Sequence, residues 1–410
     1  MRLLFALPHL PWPPVGGGRM RSWQLSSILA RRHQVDVFAL RTPEQQEAKE
    51  AKEAREAKEA TLPYASFEVF DIPSANPPKF SPQWAMLRLR SLRHPAAPFF
   101  RADAQRRLVR LAAEKKPDLI VWGMSWMLPY AAALPHIPGI VDEQNYDPLI
   151  TARMAEGRTG VDAVKWKAYY EITARAERRN LRRVRGIAAC SEQDAAIFRR
   201  EAPHADVQVV PNGVDAEAFR AAGIGQRAAV IMTGSFNYAP NADGARRLAL
   251  AVWPRVRDEV PDAELRLVGL HGERELADLR GLPGVTVVGT VPDIGPELAG
   301  ARVAVAPITA GGGTRLKILE AMAAERPVVS TTIGAEGIAA TDGRELMLRD
   351  GDAEFAAAVV QLLRDDALAE RMGRAGRALV TRKYAWTASA DALESLILRV
   401  ARSPMPAAQC

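Results

Sequence analysis

The stretch Gly311-Gly312-Gly313-Thr314-Arg315-Leu316-Lys317-Ile318-Leu319-Glu320-Ala321-Met322 holds the chemistry most readily read from this chain. An apolar run, Val303–Ala306, precedes it and reads as a buried strand; Leu316, Leu319 and Met322 follow at helical spacing. Three glycines therefore stand where a strand hands over to a helix. Glycine lets the backbone approach a ligand closely, and the unpaired N–H groups of a helix start attract anions. Arg315 and Lys317 add two cations at an end where the helix dipole ordinarily favours acids. The pattern predicts a strongly anionic ligand, a pyrophosphate, bound by Arg315, Lys317 and the backbone around Gly312, Gly313, Thr314 and Leu316. Glu320, about a turn further on, comes within reach of a ribose diol or a sugar hydroxyl.

Such a site needs elements to position it. Short apolar runs alternate with longer helical patterns through the chain, which predicts parallel α/β sheets. In the first half the strand candidates are Leu3–Leu7, Val35–Ala39, Phe67–Ile72, Leu119–Trp122, Gly139–Val141, Gly186–Ala189 and Val207–Val210. Helices are expected at Met20–Arg32, Ala102–Lys115, Val161–Arg183 and Glu192–Glu201, the last capped by Ser191 with Asp194. The rhythm restarts with strands at Ala229–Thr233, Leu265–Val268, Val285–Val288, Val303–Ala306, Val328–Ser330 and Leu346–Leu348, with Asp243–Val256 the longest helix between them. The break between halves is placed at Phe219–Gln226, and Trp386–Arg402 reads as a terminal helix. Glu47–Ala60 repeats Glu-Ala-Lys with a period of three, so alanine drifts around a helix and builds no apolar face; a solvated helical insertion is expected.

At 410 residues the chain is long enough for two domains, and 48% hydrophobic residues suffice for their cores. The formal charge of +7 suits anionic ligands or an anionic membrane surface. No basic-aromatic pattern points to nucleic acid. Cys190 and Cys410 have no metal or redox spacing, which fits a reducing, cytoplasmic setting. Pro8 and His9 cut the first apolar run too short for a signal peptide, and no apolar run reaches the length of a membrane span. On Val161–Arg183, Arg175, Arg178, Arg179, Arg182 and Arg183 form one basic stripe, with Trp166, Tyr169 and Tyr170 upstream. A contact with an anionic membrane or lipid-linked acceptor and a merely solvated face both fit it. Met86–Arg93 raises the same question.

With the Ala324–Ser330 that follows it, the glycine block resembles the signature of the retaining nucleotide-sugar glycosyltransferases of family 4. The branch associated with bacterial exopolysaccharide and other surface glycans is the most similar. The likeness runs over nearly the whole chain, strongest from about Ile187 to Gly337. It implies an α/β fold of two Rossmann-like domains facing a central cleft (GT-B). Residues 1–222 would form the acceptor domain, with the insertion at 44–60, and residues 223–385 the nucleotide-sugar donor domain. Residues 386–410 would be a helix crossing back to the first domain.

In that family the loop Gly16-Gly17-Gly18-Arg19 faces the donor phosphates and the acceptor, which assigns Gly17 and Gly18 to the site; a plain turn into the next helix is the other reading. In Asp142-Glu143-Gln144-Asn145, Gln144 aligns with a histidine that usually contacts the donor sugar. Glutamine can keep a hydrogen bond there but cannot carry a proton. His9 ends the first strand and is the histidine best placed to face a ligand. Gly234 and Ser235 follow the first strand of the second half, and Val291 lies in a loop that holds the base through backbone groups. Val210–Asp215 begins the linker.

Two departures stand out. The arginine and lysine that many members place after Gly234 are missing, leaving Arg315 and Lys317 to neutralise the diphosphate. The first acid of the family's Glu-x7-Glu pair is replaced by Gly312, leaving Glu320. The implied activity is transfer of a sugar from a nucleoside diphosphate to an acceptor hydroxyl with retention, the barrier being lowered mainly by electrostatic stabilisation of the leaving diphosphate through Arg315, Lys317 and backbone N–H groups near Gly313 and Thr314. The co-substrate is a nucleoside-diphosphate sugar and the acceptor a glycan or lipid-linked precursor. Neither cofactor nor metal is expected, and the location is cytoplasmic, extending to the inner face of the membrane. The Asp-x-Asp triplet Asp350-Gly351-Asp352 is read as a turn with Asp352 as helix N-cap, not as a metal site. A nucleotide-sugar epimerase of the same fold and a binding scaffold without turnover remain alternatives.

Removing Glu47–Ala60 and rejoining the ends with a short linker is expected to leave folding nearly intact, because loop closure costs only about 0.6 kcal/mol per doubling of length. The yield of soluble, cooperatively melting protein checks it; loss of that protein would show that the segment packs.

Overall fold

The computed structural model describes residues 1–14, 16–43, 62–74, 81–83, 86–87, 98–156, 159–219 and 228–403. The chain forms two compact units, one of Met1–Val210 with Ser389–Cys410 and one of Pro211–Ala388. Glu47–Ala60 and most of Met86–Arg93 lie outside the described residues, as does the break expected at Phe219–Gln226 apart from Phe219. The division itself falls earlier, at Val210, because the next residues pack with the second unit. The Val214 amide donates to the Tyr384 carbonyl at 2.7 Å, and the Val214 side chain joins a core with Ile231 and Val268.

The first unit holds seven strands: β1 (Arg2–Leu7), β2 (Gln34–Arg41), β3 (Ser66–Asp71), β4 (Leu119–Gly123), β5 (Gly139–Glu143), β6 (Gly186–Ala189) and β7 (Asp206–Val209). They form one parallel sheet in the order β3-β2-β1-β4-β5-β6-β7. β1, β4, β5 and β6 are near-continuous apolar runs because helices cover both faces of such a sheet. The principal helices are α1 (Gly17–Leu29), α2 (Ala102–Lys115), α3 (Asp147–Ala155), α4 (Gly160–Leu181) and α5 (Glu192–Glu201). The Ser191 hydroxyl accepts from the Asp194 amide at 3.1 Å and so caps α5. α1 begins three residues before the expected Met20, so Gly17 and Gly18 lie in its first turn; Gly16, at φ 86°, supplies the sharp entry.

The second unit holds β8 (Ala229–Thr233), β9 (Glu264–Val268), β10 (Val285–Gly289), β11 (Val303–Ala306), β12 (Val328–Ser330) and β13 (Met347–Leu348), parallel in the order β10-β9-β8-β11-β12-β13. Its principal helices are α6 (Ala239–Arg247), α7 (Trp253–Glu259), α8 (Gly295–Gly300), α9 (Leu316–Ala323), α10 (Asp352–Arg364) and α11 (Asp366–Lys383). The single helix expected at Asp243–Val256 is instead α6 and α7 joined by a wide π turn, Leu248–Val252. Pro254 has no N–H for the carbonyl four residues back, and the widened turn absorbs the mismatch.

A last helix, α12 (Trp386–Arg402), belongs to the first unit from Ser389 on. Arg399 bonds Asp206 at 2.7 Å, and Arg32 bonds Asp391 and Glu394 at 2.6 and 2.5 Å. Gly186 leaves room for it: a Cβ there would meet Val400 at 2.9 Å.

Arg21 of α1 is wholly buried and grips Asp142 at the end of β5, through Nη2 at 2.6 Å and Nε at 3.0 Å. Replacing one partner strands the other charge in a dry site. Arg21→Met is expected to lower the unfolding free energy by about 3–5 kcal/mol, and Arg21→Met with Asp142→Leu to recover most of it. Urea denaturation followed by tryptophan fluorescence measures both; a single-variant loss below about 0.5 kcal/mol would show the pair to be solvated.

Candidate functional site

In the second unit, β11 ends at Ala306 and the chain reaches α9 through the glycine block, with Gly311 at φ 129° and Gly313 at φ 71°. Both values favour glycine. Arg315 is the N-cap residue of α9, and no acid sits in that helix's first turn. Its guanidinium folds back to donate to the Gly312 carbonyl, and a Cβ on Gly311 would strike it at 2.5 Å. Asn212 tethers the same loop by donating to the Thr314 carbonyl at 2.9 Å.

Lys317 points the other way, toward the loop after β8. Its Nζ donates to Asn241 Oδ1 at 2.7 Å, and Asn241 Nδ2 donates to the Ser235 carbonyl at 2.9 Å. The ammonium lies so close to Gly234 that a Cβ there would meet it at 2.9 Å. Gly234, Ser235, Asn241 and Lys317 are thus brought together from two strand-to-helix turns. Gly269 supports them from a third: at φ 141° it lies against the Gly234 carbonyl, and its amide donates to Gly289 at 2.6 Å.

Lys317 and Glu320 are both half-buried, one turn apart on α9. Burial and the Arg315 charge lower the Lys317 ammonium to about 7, against the pull of Glu320. Burial raises the Glu320 carboxyl to about 7, opposed by Lys317. Among the described residues the Glu320 carboxylate accepts no hydrogen bond. Val291 is half-buried against the β8–α9 core, as is Leu316.

In the first unit the structure brings Gly18 and Gln144 together: a Cβ on Gly18 would meet Gln144 Nε2 and Oε1 at 3.0 Å. Gly17, beside it, is exposed. Arg19 is turned from this spot, donating to the Leu10 carbonyl at 2.8 Å and the Trp12 carbonyl at 3.3 Å. His9 bonds Ser22 Oγ at 3.2 Å, and burial with the Arg19 charge lowers its pKa to about 4, so the ring is neutral near pH 7.

The Asp-x-Asp triplet has other employment. The Asp350 carboxylate accepts from the Thr332 amide and hydroxyl at 2.8 and 2.7 Å. Asp352 is the first residue of α10, not its N-cap; that place is taken by Gly351, and the Asp352 side chain pairs with Arg247 at 2.7 Å. The basic stripe on α4 is partly spent: Arg178 bonds Glu201 at 2.6 Å and Arg183 bonds Asn180 at 2.5 Å.

Asn241, in the first turn of α6, and Asn212, within Val210–Asp215, were not among the residues expected in the site. An amide seven residues after Gly234 was the available signal for Asn241. The Arg21–Asp142 pair, 121 residues apart in the chain, had none.

Two parallel sheets, each with glycine-rich strand-to-helix turns at strand ends, make two Rossmann-like units, an architecture that matches glycosyltransferases of the GT-B fold. The model of Glycosyltransferase Family 4 matches residues 15–218, and that of Glycosyl transferases group 1 matches residues 227–365. Together the two models cover most of the chain, which belongs to the family 4/group 1 glycosyltransferases. A phosphatidyl-myo-inositol mannosyltransferase of Mycobacterium tuberculosis is 31% identical over 224 residues, 50% of this chain and 57% of that protein. The chain thus matches little more than half the length of these curated relatives. Sucrose-phosphate synthase of Thermosynechococcus elongatus superposes with a TM-score of 0.70 at 17% identity, covering 98% of this chain and 99% of that one. Anabaena HepE, solved with UDP and glucose, superposes with a TM-score of 0.67 at 16% identity over 97% of this chain and 99% of its own. At these identities the two structures speak to fold alone.

An anion placed against Lys317 would raise its pKa, so binding would take up a proton at mildly alkaline pH. If Lys317 holds such an anion, affinity for a nucleoside diphosphate is expected to be full below about pH 7 and to fall as pH rises through the free-protein value of Lys317. Calorimetry of Glu320→Gln with UDP as the probe, in mildly alkaline buffers of different ionisation enthalpy, isolates the lysine. A binding enthalpy independent of buffer would remove Lys317 from the anion site.

Proposed function

We propose that this protein transfers a sugar from a nucleoside-diphosphate sugar to an acceptor hydroxyl, with retention of anomeric configuration and without a divalent metal. The observation that supports this most is the convergence of Lys317, Asn241 and Gly234 beside the glycine block and the acid-free start of α9. A helix N-terminus, a cation and closely approachable backbone are the parts an anionic leaving group needs. The diphosphate would lie along Gly312–Leu316 and Gly234–Ser235, Glu320 would accept from the ribose, and Val291 would line the base. Arg315 would turn from its own loop onto the phosphate. Gln144, beside Gly17 and Gly18, would contact the transferred sugar. Retention rests on the family likeness, in which a donor phosphate oxygen takes the acceptor proton.

For the acceptor, we favour a surface glycan or exopolysaccharide intermediate carried on a lipid. The named activity of the mycobacterial relatives, on a phosphatidyl-inositol, supports a lipid-linked class. So does the start of α4, where Val161 and Val164 are 87% and 70% exposed beside Lys165 and Lys167. Valines flanked by lysines suit an anionic membrane surface. Among the described residues no helix is long and apolar enough to cross a membrane. Epimerisation and ligand binding without turnover are less favoured, since the matching family models are glycosyltransferases.

A panel of nucleoside-diphosphate sugars, read by thermal shift and then by product analysis, tests the reading directly. Lys317→Ala and Arg315→Ala should each weaken nucleoside-diphosphate binding by about 1.5–3 kcal/mol, roughly 10- to 150-fold, and slow transfer. Unchanged affinity and rate in both would sink the phosphate assignment. Transfer should also persist in excess chelator, because the Asp350 and Asp352 carboxylates are engaged by Thr332 and Arg247. Loss of activity restored by magnesium or manganese, with both aspartate-to-alanine variants inactive but folded, would overturn metal independence.

A further inference from the structure

Beneath the Gln144 loop of the first unit lies a group of carboxyls that the transfer reading does not use. Glu143 ends β5, Asp147 opens α3 and Glu177 comes from the last turns of α4; Glu143 is 1% exposed and Glu177 7%. Their surroundings treat them differently. Asp147 accepts from Trp126 Nε1 at 2.8 Å and from Asn145 Nδ2 at 2.5 Å, donors that oppose, without outweighing, the burial that raises its carboxyl. Asp142, next along β5, has Arg21. Glu143 and Glu177 share Ser125, whose amide faces the first and whose hydroxyl faces the second. One buried oxygen on each, Oε1, has no hydrogen-bond partner among the described residues. The remaining nearby charge is committed too: Arg178 of α4 pairs with Glu201 of α5, and Asp194 of α5 accepts from the Tyr146 amide. Among the described residues neither carboxylate has a cation partner, and two such buried carboxylates cannot both ionise cheaply.

We propose that Glu143 and Glu177 keep at least one proton between them at neutral pH, and that this proton, by removing the repulsion of two like charges, positions Gln144 against the glycine turn of α1. Glu143 and Gln144 are adjacent, so charge repulsion that displaces the Glu143 carboxyl moves the neighbouring peptide and with it the Gln144 amide. The two glutamates are positioning residues and touch no substrate. The chemistry agrees: burial, with the Asp147 charge, raises Glu177 to about 8, and burial with the Glu177, Asp147 and Asp142 charges raises Glu143 well above an ordinary carboxyl. The two groups titrate as a pair. A carboxyl raised on folding stabilises the folded state fully below its unfolded value, near 4.5, and that contribution is lost as pH rises through the folded value, near 8 for Glu177.

The part of this inference that concerns transfer rests on the function proposed above; the proton itself is tested without it. The melting temperature of the full chain is measured against pH for the wild type, Glu177→Gln and Glu201→Gln. The wild type and Glu201→Gln should lose stability in parallel from mildly acidic pH to pH about 8, while Glu177→Gln, a neutral isostere, should show a smaller loss. Superimposable slopes in all three would overturn the shared proton. Should Glu177→Gln fail to fold, Glu143→Gln serves in its place. Transfer is then followed over the same range at saturating donor: kcat of the wild type should fall on the alkaline side beyond any change in donor KM set by Lys317, and the glutamine variant should keep its kcat to higher pH. Different melting slopes with coincident rate profiles would leave the proton in place and overturn its role in positioning Gln144. Absence of transfer by the wild type with every donor would count against the proposed function, while the melting curves would still decide the proton.

Discussion

A parallel sheet delivers all its strands to the same edge, and every chain leaving that edge must turn into a helix within a few residues. That constraint shapes both units. The turns crowd together, so the backbone meets its neighbours at distances that leave no room for a Cβ: Gly269 against the Gly234 carbonyl, Gly234 against the Lys317 ammonium. The same turns open helices whose first N–H groups have no partner inside the helix. Close approach and unpaired donors are what an anionic ligand requires, and they follow from the architecture before any charged residue is chosen.

The charged residues then sharpen this edge at the expense of ordinary helix chemistry. α9 carries no acid in its first turn and two cations around it. Lys317 is held by one amide, Asn241, not by a carboxylate, which leaves its charge uncancelled. Partial burial weakens that charge in the empty protein and strengthens its response to an incoming anion. Glu320 is shifted in the opposite sense on the same helix face. Both groups are tuned by one desolvated surface.

The first unit handles buried charge in two ways within two residues of β5. Asp142 is compensated by a wholly buried arginine; Glu143 is met by another acid and a serine. Side chains alternate across a strand, so Asp142 and Glu143 face opposite layers and meet different helices. The ion pair ties α1 to the sheet. The acid pair loads the strand end that carries Gln144.

Much of the architecture was legible in the chain. Each strand expected from an apolar run is present to within two residues at either end, because central parallel strands covered on both faces must be apolar nearly throughout and the half-buried edge strands β3, β7 and β10 still keep short apolar runs. The capping of α5 by Ser191 and the strand–glycine–helix passage at Gly311–Met322 were legible for the same reason: they depend on neighbours in sequence. What tertiary structure decided lies between distant residues. Arg21 finds Asp142 and Lys317 finds Asn241 only when strands far apart in the chain become adjacent. Asp350 and Asp352, which by spacing alone could hold a cation, are claimed by Thr332 and Arg247. Sequence determined which segments would be strands and where a glycine-rich turn would open a helix, since local periodicity and turn chemistry act over a few residues. Only the folded sheets determined which charges are compensated, because desolvation and pairing depend on what the fold brings within a few ångströms.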